Sequence, residues 1–259
     1  MALNRQELLD RRKDLSQFLF HMTRSGDLKL AKDLYSLPKD GLVPIDGGRS
    51  LTAIIQNRRI EARSAFGYFN FKIRYTRPNG TVLNPNSMIK RDWIKAVCFT
   101  ETPIDHVSLQ TEDILGRQLK FQPFGLAFRE AVVRRANGNP IFYVQTTNQG
   151  VRDALDKMAE APNSSDFKPL MPLIEGFGPP WFRRPEGPAE IDFRWEREWR
   201  VAGDFSFSLS DVAFGLCPAS QKTMFEGLVK DEFPFVDPTD DIDVIKAELR
   251  GWPRLRDLR

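Results

Sequence analysis

Residues Asp192-Phe193-Arg194-Trp195-Glu196-Arg197-Glu198-Trp199-Arg200-Val201 form the most strongly patterned stretch of the chain. Successive side chains of a β-strand point to opposite faces. The spacing therefore predicts a strand over 191–201, with Arg194, Glu196, Glu198 and Arg200 on one face and Phe193, Trp195, Arg197, Trp199 and Val201 on the other. Two carboxylates flanked by two guanidiniums then line one surface. Aligned carboxylates hold ribose hydroxyls and stabilise an oxocarbenium ion in glycosyl transfer. On a solvated face the same four residues are a salt-bridge ladder.

Working outward, short apolar runs predict further strands at 18–23, 96–99, 124–128, 141–144 and 212–216, with a last one over 243–248. Helices are expected over 5–18, 28–34, 129–136, 150–160 and 220–229. Alternating aromatics from Phe66 to Tyr75, then Pro78-Asn79-Gly80 and Val82-Leu83, read as a hairpin insertion. Seven prolines between 162 and 190 discourage regular structure there, while Phe177, Trp181 and Phe182 are too apolar for a disordered linker. That segment reads as an ordered excursion, with its aromatics a candidate protein-contact surface. The strands do not follow a regular βαβ rhythm. The fold expected is α+β, one domain over 1–259 with a curved, mainly antiparallel sheet built on the 18–23, 96–99, 124–128, 141–144 and 191–201 strands.

The chain has 259 residues, 41% of them hydrophobic and 28% charged, and a formal net charge of +3. No apolar run approaches the roughly 20 residues of a membrane helix. The N-terminal residues MALNRQELLDRRKDL contain no apolar leader core, which points to a cytoplasmic protein. Cys98 and Cys217, with only His21 and His106 to assist them, argue against a disulfide framework and against a metal site. Glycine-loop nucleotide motifs and the serine-hydrolase elbow are missing from the sequence. Charge is uneven: Arg49 to Lys95 carries ten basic residues against two acidic ones, and Lys230 to Glu248 two against seven. The basic block could attract nucleic acid, or the two stretches could be compensating solvated faces.

His21 and Thr23 lie two residues apart on the first predicted strand and so share a face, where an imidazole and a hydroxyl can orient a ribose. A core histidine bonded to backbone is the plainer alternative. Cys98-Phe99-Thr100-Glu101-Thr102-Pro103 reads as a buried strand running into a polar turn, with Glu101 either at a substrate or capping the turn, and Cys98 a core residue. His106 reads as a capping or surface residue.

The order F-x-F-H-x-T, A-V-C-F-T-E-T-P, F-G-L-A-F-R, N-P-I-F-Y-V and W-E-R-E-W-R, over roughly residues 18 to 217, resembles the AbiG-type family associated with abortive phage infection. It is also similar to the DarT-type ADP-ribosyltransferases, which carry an early His, a central Arg and a late Glu on a split, curved sheet that binds NAD. The resemblance implies an NAD-using ADP-ribosyltransferase-like protein of phage defence or a toxin-antitoxin system. His21 and Thr23 would then orient the NAD ribose, and Glu198, or less readily Glu196, would be the catalytic glutamate. Phe99, Phe128 or Tyr143 would stack on nicotinamide. The central arginine has no single match. Arg49, Arg58, Arg59, Arg91 and Arg129 are candidates, with Arg91 placed among the NAD-binding residues. On this resemblance His21 and Glu198 are expected to line one cleft. The other reading is a non-catalytic module that binds nucleic acid through the 49–95 block, or a protein partner.

Overall fold

A computed structural model describes residues 16–24, 46–64, 68–69, 75–76, 82–83, 94–112, 120–160, 167–178 and 192–258. The expected helices over 5–18 and 28–34, the Pro78-Asn79-Gly80 turn, Arg91, Trp181 and Phe182 lie wholly or largely outside the described residues. The chain divides into two compact units, each assembled from separate stretches. The first takes residues up to Arg59, then Phe99–Arg135 and Ser206–Arg259; the second takes Ile60–Cys98 and Ala136–Phe205.

In the first unit the strand Phe18–Arg24 pairs antiparallel with Phe121–Arg129, His21 standing opposite Leu126, and Phe20 pairs with Thr100. Val212–Leu216 joins the other side of Phe121–Arg129, also antiparallel, and Phe235–Val236 adds a parallel edge. Period-two alternation then sorts the first strand. Phe18, Phe20 and Met22 enter a core with Ala127, Phe214, Leu216, Ile245 and Leu249. The Phe18 and Phe20 rings meet Phe214 edge-on at 5.1 and 5.9 Å between centroids. Leu19, His21 and Thr23 take the opposite face.

Two elements of this unit depart from the sequence expectation. Residues 243–248 are not a strand but belong to the helix Ile242–Arg250. The Asp241 side chain accepts from the Asp243 N–H at 2.8 Å, capping the helix, and Ile245 and Leu249, one turn apart, are the residues it buries. The helix Gly47–Asn57 was not expected. Asp46 caps it by accepting from Arg49 N–H at 2.8 Å, and Leu51 and Ile55 form its buried stripe.

In the second unit the first residues of the strand Lys95–Thr100 pair antiparallel with Arg63–Ser64, and Glu198–Ala202 lies on their other side. Asn139–Pro140 pairs antiparallel with Glu198–Ala202 through Trp199 and Arg200. The expected 141–144 strand exists as Phe142–Gln145 but does not join that run. Its partner is Ile174–Phe177, in parallel, with Tyr143 opposite Glu175. That partner strand lies inside the proline-rich segment. Pro169 and Pro172 fall in the turn and the 3-10 helix Met171–Leu173 just before it, where no ladder hydrogen bond is lost. The hairpin is present where described, as Tyr75–Thr76 against Val82–Leu83. Tyr68 and Phe69, expected in its strand, are instead helical and buried with Leu155, Met171 and Ile174. No helix among the described residues is long and apolar enough to cross a membrane.

Candidate functional site

Alternation along Glu198–Ala202 puts Glu198 and Arg200 on one face, as expected, but that face is not solvated. The Arg200 side chain is 2% exposed and that of Glu198 12%. Arg200 grips Glu198 with two parallel hydrogen bonds, Nε to Oε1 at 2.8 Å and Nη2 to Oε2 at 2.7 Å. Nη2 also donates to Oε2 of Glu175 at 3.0 Å, and Nη1 to the Pro172 carbonyl at 2.8 Å. Two carboxylates thus share one guanidinium, and the paired geometry suits a planar fork. Glu175 is 1% exposed and its Oε1 accepts from Gly176 N–H at 3.2 Å. Burial, opposed by the Arg200 charge, pushes the Glu175 carboxyl up to about 8. Burial works against the Arg200 charge too, but the charges of Glu198, Cys98 and Glu175 outweigh it and hold its pKa well above the ordinary arginine value.

Tyr143 stands beside this cluster. Its hydroxyl donates to the Phe193 carbonyl at 3.0 Å and accepts from Glu198 N–H at 3.4 Å, so it ties the start of the Glu198 strand to the preceding loop. Burial raises its pKa, and the charges of Glu198 and Glu196 raise it further against the Glu198 N–H bond. Tyr143, Glu196 and Glu198 are therefore brought together.

The single strand expected over 191–201 is corrected. Residues Arg194–Glu196 form a 3-10 turn, Arg197 takes a left-handed φ of 46°, and the strand starts only at Glu198. Asp192 drives the turn: it accepts from Arg194 N–H at 3.1 Å and clamps the Arg194 guanidinium at 2.9 and 2.6 Å. Those bonds hold the Asp192 pKa below its usual range. Arg194 lies over the Phe177 ring at 4.2 Å.

His21, Thr23 and Phe99 belong to the first unit. The His21 imidazole, half-buried, meets the Phe99 ring edge-on at 5.9 Å. Phe99 is 2% exposed and packs edge-on against Phe128 at 5.9 Å, among core residues. Thr23, 4% exposed, donates its hydroxyl to the carbonyls of Gly47 and Phe124, both at 3.1 Å. The Gln122 side chain accepts from Gly47 N–H. A Cβ on Gly47 would stand 2.6 Å from both Thr23 Oγ1 and Gln122 Oε1, so only glycine fits this junction. Thr23 here fastens the start of the Gly47–Asn57 helix to the sheet.

Of the arginine candidates, Arg129 donates to the Arg254 carbonyl at 2.6 Å, Arg49 faces Asp46 at 3.9 Å, and Arg58 ends its helix in the left-handed region. Among the described residues no group of three His, Cys, Asp or Glu side chains is placed to hold a metal ion. His106 is exposed and Cys98 half-buried.

The residue that sequence reading missed is Glu175. Its signal was a lone acid in the apolar run Ile174-Glu175-Gly176-Phe177, an arrangement a strand buried on both faces tolerates only with a partner. Compared with protein-family models, curated proteins and solved structures, the chain matches none of them.

Proposed function

We propose that the protein is an NAD-consuming ADP-ribosyltransferase-like enzyme in which Glu198 stabilises the glycosyl cation. The observation that carries this reading is a carboxylate, partly open at 12% side-chain exposure, held by both oxygens on a guanidinium that is itself fully buried. A buried ion pair is a poor source of stability compared with apolar packing, so its presence favours a task that needs an oriented carboxylate. In the reaction the bond from the ribose anomeric carbon to the nicotinamide nitrogen breaks, and its electron pair leaves with nicotinamide. The positive charge that develops on the anomeric carbon is met by the Glu198 carboxylate. An acceptor nucleophile then bonds to that carbon and gives up its proton. An oriented charge costs no reorganisation as the cation forms. With the AbiG-type resemblance, the setting proposed is phage defence or a toxin-antitoxin system.

The test is to incubate the full chain with NAD labelled in its adenylate half, with DNA, RNA and bacterial lysate protein as separate acceptors. Label transfer by the wild type, lost in Glu198→Gln, supports the reading. Equal labelling by both proteins, or none by the wild type with any acceptor, refutes it.

A second reading, nucleic-acid binding without catalysis, draws on the exposure of Arg49, Arg58 and Arg59 around the Gly47–Asn57 helix. It expects a salt-dependent gel shift weakened by neutralising Arg58 and Arg59, and it fails if no nucleic acid is bound at low salt.

A further inference from the structure

Glu175 lies in a strand of otherwise apolar residues at 1% exposure, and a carboxyl in that position costs free energy that only a hydrogen-bonded or charged partner offsets. Its partner is Arg200. One nitrogen, Nη2, donates to Glu175 at 3.0 Å and to Glu198 at 2.7 Å, while Nε holds the second Glu198 oxygen and Nη1 holds the Pro172 carbonyl. A guanidinium is planar, so anchors on three sides fix its plane, and the two bonds to Glu198 then fix the plane of that carboxylate.

We propose that Glu175 is a positioning residue, acting through Arg200 to hold the Glu198 carboxylate in one orientation and to set the net charge presented with it. The proposal rests on the reading of Glu198 as the carboxylate that meets the glycosyl cation. With Glu175 protonated, Glu198 and Arg200 cancel; with Glu175 ionised, the cluster carries one net negative charge. The pKa of about 8 brings that change into the working range. A negative cluster lowers the energy of a developing cation, so the ionised form is the faster one.

Arg200 favours the ionisation of Glu175 and Glu198 opposes it, both from the Glu198–Ala202 strand. Tyr143 stands opposite it in the paired strand, with its hydroxyl under the charges of Glu198 and Glu196. Cys98 acts on the charge of Arg200.

The experiment uses the full chain with NAD as the probe and follows nicotinamide release against pH for wild type, Glu175→Gln and Glu175→Ala. Beside it, carbon-13 NMR of labelled glutamate carboxyls follows the Glu198 signal, assigned by its loss in Glu198→Gln. The wild-type kcat is expected to rise about tenfold through the Glu175 titration. In Glu175→Gln, which keeps an oxygen for Nη2, the rise disappears while KM stays within about twofold. In Glu175→Ala, which leaves Nη2 without that acceptor, kcat falls about a further tenfold. The Glu198 signal moves near pH 8 in the wild type and not in Glu175→Gln. A Glu175→Gln profile that keeps the wild-type rise overturns the proposal, and so does a wild-type Glu198 signal that is still near pH 8. A wild type that releases no nicotinamide overturns the glycosyl reading instead, and the Glu198 signal then decides by itself whether Glu175 acts on that carboxylate.

Discussion

Replacing Glu175 by Gln should make the protein more stable, and increasingly so as pH rises. In the folded chain burial carries this carboxyl from 4.5 to about 8. Below the lower value the group is protonated in both folded and unfolded chains, and its ionisation costs nothing. Between the two values the unfolded chain ionises and the folded chain does not. The folded state then binds the extra proton, and stability falls with rising pH by roughly 1.4 kcal/mol per pH unit. Above about pH 8 both states are ionised and the loss levels off, on the order of 5 kcal/mol for a carboxyl displaced that far. Glutamine has nothing to ionise but keeps an oxygen for Arg200 Nη2, which donates to the Glu175 carboxyl at 3.0 Å. Urea unfolding of both proteins at about pH 5, 6.5 and 8 gives the difference in stability directly, and titrations elsewhere in the chain cancel. The expected difference grows in favour of the variant by several kcal/mol from the lowest to the highest pH. A difference that stays constant across the range refutes the burial argument for Glu175.

Other perturbations follow from the same contacts. Arg200→Met strands two carboxylates and the Pro172 carbonyl, and should cost about 3–5 kcal/mol in urea unfolding; adding Glu175→Leu should recover part of the loss. Tyr143→Phe removes the hydroxyl that joins Phe193 to Glu198, for about 1–2 kcal/mol by the same assay. Gly125→Ala would put a Cβ 2.5 Å from the His21 carbonyl, so it should displace the His21 ring resonances and cost about 2 kcal/mol or more.

Where a strand contains a short apolar run, as in Phe18–Arg24, Lys95–Thr100, Phe121–Arg129 and Val212–Leu216, local pattern was enough to locate it. It failed where a short polar contact decides the backbone. The alternation of 191–201 was real in composition, yet Asp192 turns the chain at Arg194 and divides the four charged residues between a 3-10 turn and a strand. At 243–248 the apolar residues read equally as strand or helix, and the Asp241 cap with the Ile245 and Leu249 stripe selects helix. Of the candidate site, Glu198 with Arg200 was legible from period two. Glu175 was not, because its meaning comes from a guanidinium 25 residues further along the chain. Its strand is also parallel to Phe142–Gln145, a pairing that no turn motif announces.

The measurement that bears most directly on the role of Glu198 is the rate of nicotinamide release from NAD by wild type and Glu198→Gln, with the affinity of each for NAD measured in the same preparations. Glutamine at 198 retains an oxygen for Arg200 but not the charge, so the fold and NAD affinity should hold within about twofold while the rate falls about 10²–10³-fold. Equal rates in the two proteins, or a wild type that binds NAD and releases no nicotinamide, would contradict the assignment of Glu198 as the carboxylate that carries the reaction.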